Sequence, residues 1–389
     1  MPRKANARRA DGLYQRVVTI GTDANGKRIR KTVYGRTDKE AREKAEEIKI
    51  LLGKGLDISA QKDTFGVWAE KWLKTRTCGQ GQLTAYKACL GHVLPCLADA
   101  QVGDIRITDL QLTVNSIQSK CGLSHKTMQM IVNTIHQILE LALDNNVIER
   151  NPAAKLKVPE SAPVPQRREA LTDEQIMWIV ETPHRCRIAA LIMLLCGLRR
   201  GELCALRRSD VDLQSGWIRV RRSVNLRDAK EKDGAKTENA IRDVLIPSPL
   251  RLELERYFAE QDARKVRPID PLVFPQAKSE KVHSSSSWRT AWNSYMADLN
   301  VKYGYPDQDV SKHDPAGLPI KISTFTAHQL RHTYASLLYE ADIKVLDAQQ
   351  YLGHAKPSTT LDIYTHLRGR DEDAQRKQID DALARKLAW

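Results

Sequence analysis

The sequence predicts a multidomain fold, mainly α with α+β parts, and three observations carry that prediction. Strand-like basic segments are confined to the N-terminal region, helical periodicity dominates from about residue 63 to 155, and short alternating segments mixed with helices follow from Ala170. At 389 residues the chain is long enough for two or three domains, each with its own core. The expected division is 1–60, 63–158 and 168–389.

The first module reads as a small β-sheet plus a helix. Gly12 to Ile20 and Lys27 to Tyr34 are strand-like and flank the turn-forming Thr22-Asp-Ala-Asn-Gly26. A helix follows with Thr37 as N-cap and Glu40 three residues on, a capping box, and runs through Leu52.

The second module reads as helical throughout. Phe65, Trp68 and Trp72 recur at near-helical spacing, and Tyr86, Leu90, Val93 and Leu94 form a second apolar face. Thr108 to Gln111 has the form of a capping box. From Thr127 to Leu143 a stripe of Met128, Ile131, Ile135, Ile138, Leu139 and Ala142 reads as core, and Asn151-Pro152 is the expected stop. Lys155 to Arg168, with Pro159, Pro163 and Pro165, reads as a stiff extended connector.

The third module is mixed. Thr172 to Gln175 opens one helix, and the apolar run from about Arg187 leads into Arg199. Trp217 to Val224 alternates like a strand, with Asp243 to Ile246 as its partner and a charged hairpin region, Asp228 to Asn239, between them. Trp288, Ala291, Trp292, Tyr295 and Met296 mark an amphipathic helix, and Lys302 to Lys321 reads as a long loop.

Charge then narrows the function. The formal net charge is +14, and residues 1 to 36 hold ten Lys and Arg against two Asp, so over half the excess sits in under a tenth of the chain. Such a balance favours a polyanion partner, because cations that neutralise phosphates release counterions. The N-terminal cations Arg8, Arg9, Arg16, Lys27, Arg28, Arg30 and Lys31 are the candidate DNA-binding residues, since a basic ribbon can enter a DNA groove. A solvated tail that aids solubility is the bland alternative. No segment reads as a membrane span or signal peptide, and the seven cysteines form no C-x-x-C pair. The expected compartment is the bacterial cytoplasm, on the nucleoid.

Two constellations carry chemistry. In Thr326-Ala-His328-Gln-Leu-Arg331-His332 a capping box puts His328 and Arg331 on one face of a helix start, where free N–H groups and the macrodipole favour an anion. His328 and His332 also have the spacing of metal ligands, but no third ligand is evident. In Gly197-Leu-Arg199-Arg-Gly201-Glu202 an apolar helix delivers Arg199, whose fork suits a phosphate with Glu202 steadying it.

With Leu352-Gly-His354 and Tyr364 downstream, the combination resembles the tyrosine recombinase, or phage integrase, family, above all integrases of conjugative transposons and temperate phages. Arg199-x-x-Glu202 is similar to the family's first arginine box, His328-x-x-Arg331 to the second, and Lys236 to its hairpin lysine, with Lys230 and Lys232 close by. The resemblance implies a catalytic domain of tyrosine recombinase type behind an arm-type DNA-binding domain and a helical, SAM-like core-binding domain. It implies strand exchange through a covalent 3′-phosphotyrosine and a Holliday junction, without cofactor or metal. Tyr364 is then the nucleophile, His328 the candidate base and Lys236 the candidate acid, while Arg199, Arg331 and His354 stabilise charge and Glu202 supports Arg199. Implied partners are double-stranded DNA with core-type and arm-type sites, further copies of the chain in a tetramer on DNA, and an excisionase or DNA-bending protein. The stripe Ile379, Leu383 and Leu387 leaves an apolar face for its own domain or for a neighbour, and the resemblance implies that it links protomers. Two rivals stand beside this reading: a type IB topoisomerase, and a noncatalytic DNA-binding regulator.

Overall fold

The computed structural model describes residues 11–22, 28–58, 60–164, 169–233, 241–263, 269–277, 279–314 and 317–367. The chain divides into two compact units, Met1–Arg167 and Arg168–Trp389.

The first unit opens with an antiparallel hairpin of β1 (Tyr14–Thr22) and β2 (Arg28–Gly35), in register from Tyr14↔Gly35 to Thr22↔Arg28 with an irregularity between Thr19 and Gly21. Helix α1 (Asp38–Gly53) packs against it and starts as its sequence dictates. The Thr37 hydroxyl accepts from the Glu40 N–H at 3.1 Å, and the Glu40 carboxylate accepts from the Arg36 N–H at 2.8 Å. Val18, Ala45, Ile48 and Ile58 bury a small core between them.

Helices α2 (Phe65–Lys74), α3 (Gln80–Leu97), α4 (Ile107–Cys121) and α5 (His125–Asp144) enclose a larger core. All six residues of the α5 stripe are fully buried, which contributes about 1.5–3 kcal/mol of transfer free energy for each of the larger side chains. Helix α4 begins earlier than the expected box at Thr108, because the Asp109 carboxylate accepts from the Arg106 N–H at 3.0 Å. Asn151 does not end α5, which stops at Asp144; its amide instead donates to the His136 carbonyl at 3.0 Å and folds the chain back along the helix. The expected connector is docked as far as Pro163. Leu156 and Ala162 are buried in the helical core, and the His125 N–H donates to the Pro163 carbonyl at 2.9 Å.

The second unit is built around α7 (Arg187–Cys196), whose residues are almost all buried, with α6 (Asp173–Glu181) before it and the short α8 (Arg200–Ala205) after it. The strands follow: β3 (Val211–Asp212), β4 (Trp217–Val220), β5 (Arg222–Asn225), β6 (Lys230–Asp233) and β7 (Arg242–Leu245). The predicted single strand Trp217 to Val224 is two strands. Strand β4 lies between β3 and β7, whereas β5 leaves after Arg221 and pairs with β6 alone. At the start of β5 the Arg222 guanidinium donates to Asp210 at 2.5 Å.

Helices α9 (Ser248–Asp262), α10 (Ser285–Gly304), α11 (Ala327–Glu340), α12 (Val345–Leu352) and α13 (Pro357–Leu367) complete the unit. Trp288, Trp292, Tyr295 and Met296 bury one face of α10, as their spacing requires. The expected loop beyond Lys302 begins after Gly304 and is pinned by the buried Asn300. The Asn300 amide donates to the Pro319 carbonyl at 2.9 Å and accepts from the Lys321 N–H at 2.9 Å.

Candidate active site

Arg199 is delivered by two backbone devices. Gly197 closes α7 in the left-handed region (φ 64), and a Cβ there would collide with the Tyr334 ring. Gly201 lets α8 approach β5, since a Cβ would stand 2.7 Å from the Val224 carbonyl oxygen. The motif's two glycines are thus geometric requirements of the turn that aims Arg199. Its side chain stays 40% exposed, while one Nη donates to Glu202 at 2.7 Å and the other to the Gly353 carbonyl at 2.7 Å.

Glu202 is buried and serves two cations. Besides Arg199 it accepts both Nη groups of the buried Arg242, at 3.1 and 2.8 Å, and the Arg199 N–H at 2.8 Å. Burial alone would raise its pKa, but the Arg242 hydrogen bonds and charge, with Arg199, hold the carboxyl down at about 2. Sequence reasoning missed Arg242 as part of the site. The available signal was an arginine at an inward position of the alternating β7.

Arg331 lies on the first turns of α11 and is 4% exposed. It donates to the Gly197 carbonyl at 2.6 Å and to the Leu352 carbonyl. Burial, then the neighbouring Arg199 and Arg242, lowers its guanidinium to about 9. His328, one helical turn earlier, lines a basic cleft of about 780 Å³ together with Arg199, Arg200, Arg227, Arg289 and Arg331. A phosphate placed there meets positive charge from several elements at once.

His354 follows the end of α12. Its Nδ1 pairs with the hydroxyl of the fully buried Thr360 at 2.9 Å. Burial first, then the charge of Arg331, Arg199, Arg242 and His328, pushes the imidazole down to about 4. Tyr364, on α13, is 6% exposed; its hydroxyl donates to the Ile343 carbonyl at 3.3 Å and its ring meets Tyr339 edge-on at 5.1 Å. Burial raises the phenol to about 12. The cationic assistance expected for the tyrosine does not reach it in this arrangement, and neither His354 nor Tyr364 is among the described residues lining the cleft.

The remaining sequence candidates divide in the same way. Arg8, Arg9, Lys27 and Lys236 lie outside the described residues, as does the stripe of Ile379, Leu383 and Leu387. Arg28 and Arg30 are exposed on one face of the hairpin with Tyr34. Arg16 is paired with Asp38 at 2.7 Å. Lys31 is half-buried, and its ammonium is lowered by burial and by the neighbouring Lys62. Among the described residues no group of three or more His, Cys, Asp or Glu is placed to hold a metal ion, and no helix is long and apolar enough to cross a membrane.

The chain is 28% identical over 398 residues to a tyrosine recombinase XerC-like protein of Caldanaerobacter subterraneus subsp. tengcongensis, covering 94% of this chain and 96% of that one. It is 24% identical over 271 residues to the ICEBs1 integrase of Bacillus subtilis, covering 67% of each. Its fold is shared with the Tn1549 transposon integrase solved with transposon right end DNA (TM-score 0.64, 19% identity, 82% of this chain and 99% of that one). It is shared also with a lambda integrase tetramer bound to a Holliday junction (TM-score 0.56, 19% identity, 95% and 97%). Fold and sequence together define a tyrosine recombinase of integrase type, an enzyme that cuts and rejoins DNA. Residues 169–370, more than half of the chain, match the phage integrase family, and the chain belongs to it.

Proposed function

We propose that the chain moves a conjugative transposon or prophage by strand exchange in which Tyr364 forms a 3′-phosphotyrosine and a Holliday junction joins the two half-reactions. The observation that carries this reading is the convergence of Arg199, Arg331 and His328 on one basic cleft, with the two guanidiniums also bonded to the Gly353 and Leu352 carbonyls that immediately precede His354.

The phenolic oxygen of Tyr364 attacks phosphorus, its proton passing to His328, and the P–O5′ bond breaks as the 5′ oxygen takes a proton from Lys236. Arg199 and Arg331 hold the nonbridging oxygens as charge builds on them. A 5′ hydroxyl from a second duplex reverses the step, because the phosphotyrosine keeps the energy of the original bond. Residues 63–158 would grip the core-type site and 1–60 the arm-type site, with four copies on DNA and an excisionase or bending protein setting direction. This would place the protein on the bacterial nucleoid.

The test uses a nicked duplex spanning the end of the element that encodes the chain. The native protein should accumulate as a covalent DNA complex and recombine two marked sites, and Tyr364→Phe should do neither. A covalent complex with Tyr364→Phe would remove Tyr364 as nucleophile. Relaxation of unmarked supercoiled plasmid without recombination of marked sites would favour a topoisomerase.

A further inference from the structure

Helix α12 ends on three carbonyls that its own N–H groups cannot reach. The Gly353 N–H bonds back to Gln349 and Gln350, and the His354 N–H to Gln349, which leaves the oxygens of Tyr351, Leu352 and Gly353. Each is taken by a different arginine from a different element. Arg242 Nε on β7 donates to Tyr351 at 2.7 Å, Arg331 on α11 to Leu352, and Arg199 before α8 to Gly353 at 2.7 Å. Three cations on the negative end of one helix are also electrostatically matched to it.

Two of these arginines have a proposed role at the phosphate. Arg242 does not fit that role: unlike Arg199 and Arg331 it is not among the described residues lining the cleft, its two Nη groups fork onto Glu202 and its Nε is on Tyr351. From this geometry we infer that Arg242 is a positioning residue of the recombinase, fixing His354 through the Tyr351 carbonyl and Arg199 through Glu202. The inference rests on the proposed roles of Arg199 and His354.

The chain of contacts is short. The Tyr351 carbonyl is three residues from His354, and Glu202 bonds both Arg242 and Arg199 through the same Oε1, at 3.1 and 2.7 Å. Removing the Arg242 side chain frees the first of the three carbonyls and leaves Glu202 with one cation. The His354 ring and the Arg199 fork then drift while the cleft keeps its exposed cations.

The experiment measures single-turnover cleavage and equilibrium binding on the same nicked duplex, using the full chain and Arg242→Ala. A displacement on the scale of an ångström predicts a fall in cleavage rate on the order of 10²-fold at saturating DNA, with Kd unchanged. Added guanidinium ion should restore part of the rate by occupying the vacated site. Arg242→Lys, which keeps the charge but cannot fork onto Glu202 and reach Tyr351 together, should remain slow and folded, and it decides the matter if the alanine variant does not fold. Cleavage by a folded Arg242→Lys or Arg242→Ala at the native rate would overturn the inference, as would a defect wholly accounted for by weaker binding. Tyr364→Phe run in parallel separates this failure from failure of the nucleophile assignment, since that variant tests the covalent bond alone.

Discussion

The phenolic hydroxyl of Tyr364 donates to the main-chain carbonyl of Ile343 at 3.3 Å, so the proposed nucleophile is held as a neutral phenol against backbone. With its pKa pushed up to about 12 by burial, the phenolate fraction at pH 8 is on the order of 10⁻⁴. Ring resonances of Tyr364 in the DNA-free protein should therefore titrate near 12, and should move downward when DNA draws the phenol toward the guanidiniums. Because the folded value lies above the ordinary 10.0, this group's contribution to stability is complete below about pH 10 and is lost as pH rises toward 12. Tyr364→Phe should lose only about 0.5–1.5 kcal/mol, the net contribution of one hydrogen bond.

Glu202 gives the opposite dependence. Its carboxyl falls from 4.5 to about 2 on folding, so its contribution is present above about pH 4.5 and is lost as pH drops through 2. The shift corresponds to roughly 3 kcal/mol, and denaturant unfolding between about pH 6 and 2.5 should show it. Glu202→Gln should flatten that window. At neutral pH it should be less stable by about 3–5 kcal/mol, because Arg242 is left buried without its counter-charge.

His354 titrates in an adjacent range. Its imidazole is pushed from 6.5 to about 4, so the unfolded chain takes the proton first and stability declines as pH falls from 6.5 toward 4. Imidazole NMR should find His354 neutral throughout the neutral range. Thr360→Val removes the partner of Nδ1 and should slow cleavage while leaving DNA affinity intact.

Gly197→Ala should destabilise the second unit by about 1–3 kcal/mol, through a left-handed backbone and a Cβ forced into the Tyr334 ring. Thermal unfolding checks this directly. A shift confined to activity, with unfolding unchanged, would contradict it.

On the hairpin, Arg28→Ala with Arg30→Ala should weaken arm-site binding and reduce the salt slope by about 0.9 for each phosphate no longer neutralised. Arg16→Ala should act on stability instead, because its guanidinium is engaged with Asp38 at 2.7 Å. Binding measured across a salt series, beside unfolding curves, separates the two effects.

Periodicity made the helices legible. The stripe of α5 and the tryptophan face of α10 follow from spacing alone, and the caps at Thr37 and Thr172 from residue type. Pairings between distant segments were not legible in the same way. Strand β4 pairs with β7 and β5 with β6, which are partners the alternation of Trp217 to Val224 does not reveal, and the start of α4 depends on a carboxylate one residue beyond the expected threonine. Arg199, His328 and Arg331 could be selected because motif spacing exposes them. Arg242 showed only as an inward arginine of an alternating strand, since its partners Glu202 and Tyr351 lie 40 and 109 residues away and one of them is a main-chain atom.

The end of α12 also constrains how this site can change. Its three acceptors are carbonyl oxygens, which every amino acid carries alike. Substitution anywhere along Val345–Leu352 can reshape the helix surface but cannot delete an acceptor. Variation in α12 is therefore answerable to its neighbours and to helical propensity, while the whole chemical burden of the junction falls on three guanidinium side chains.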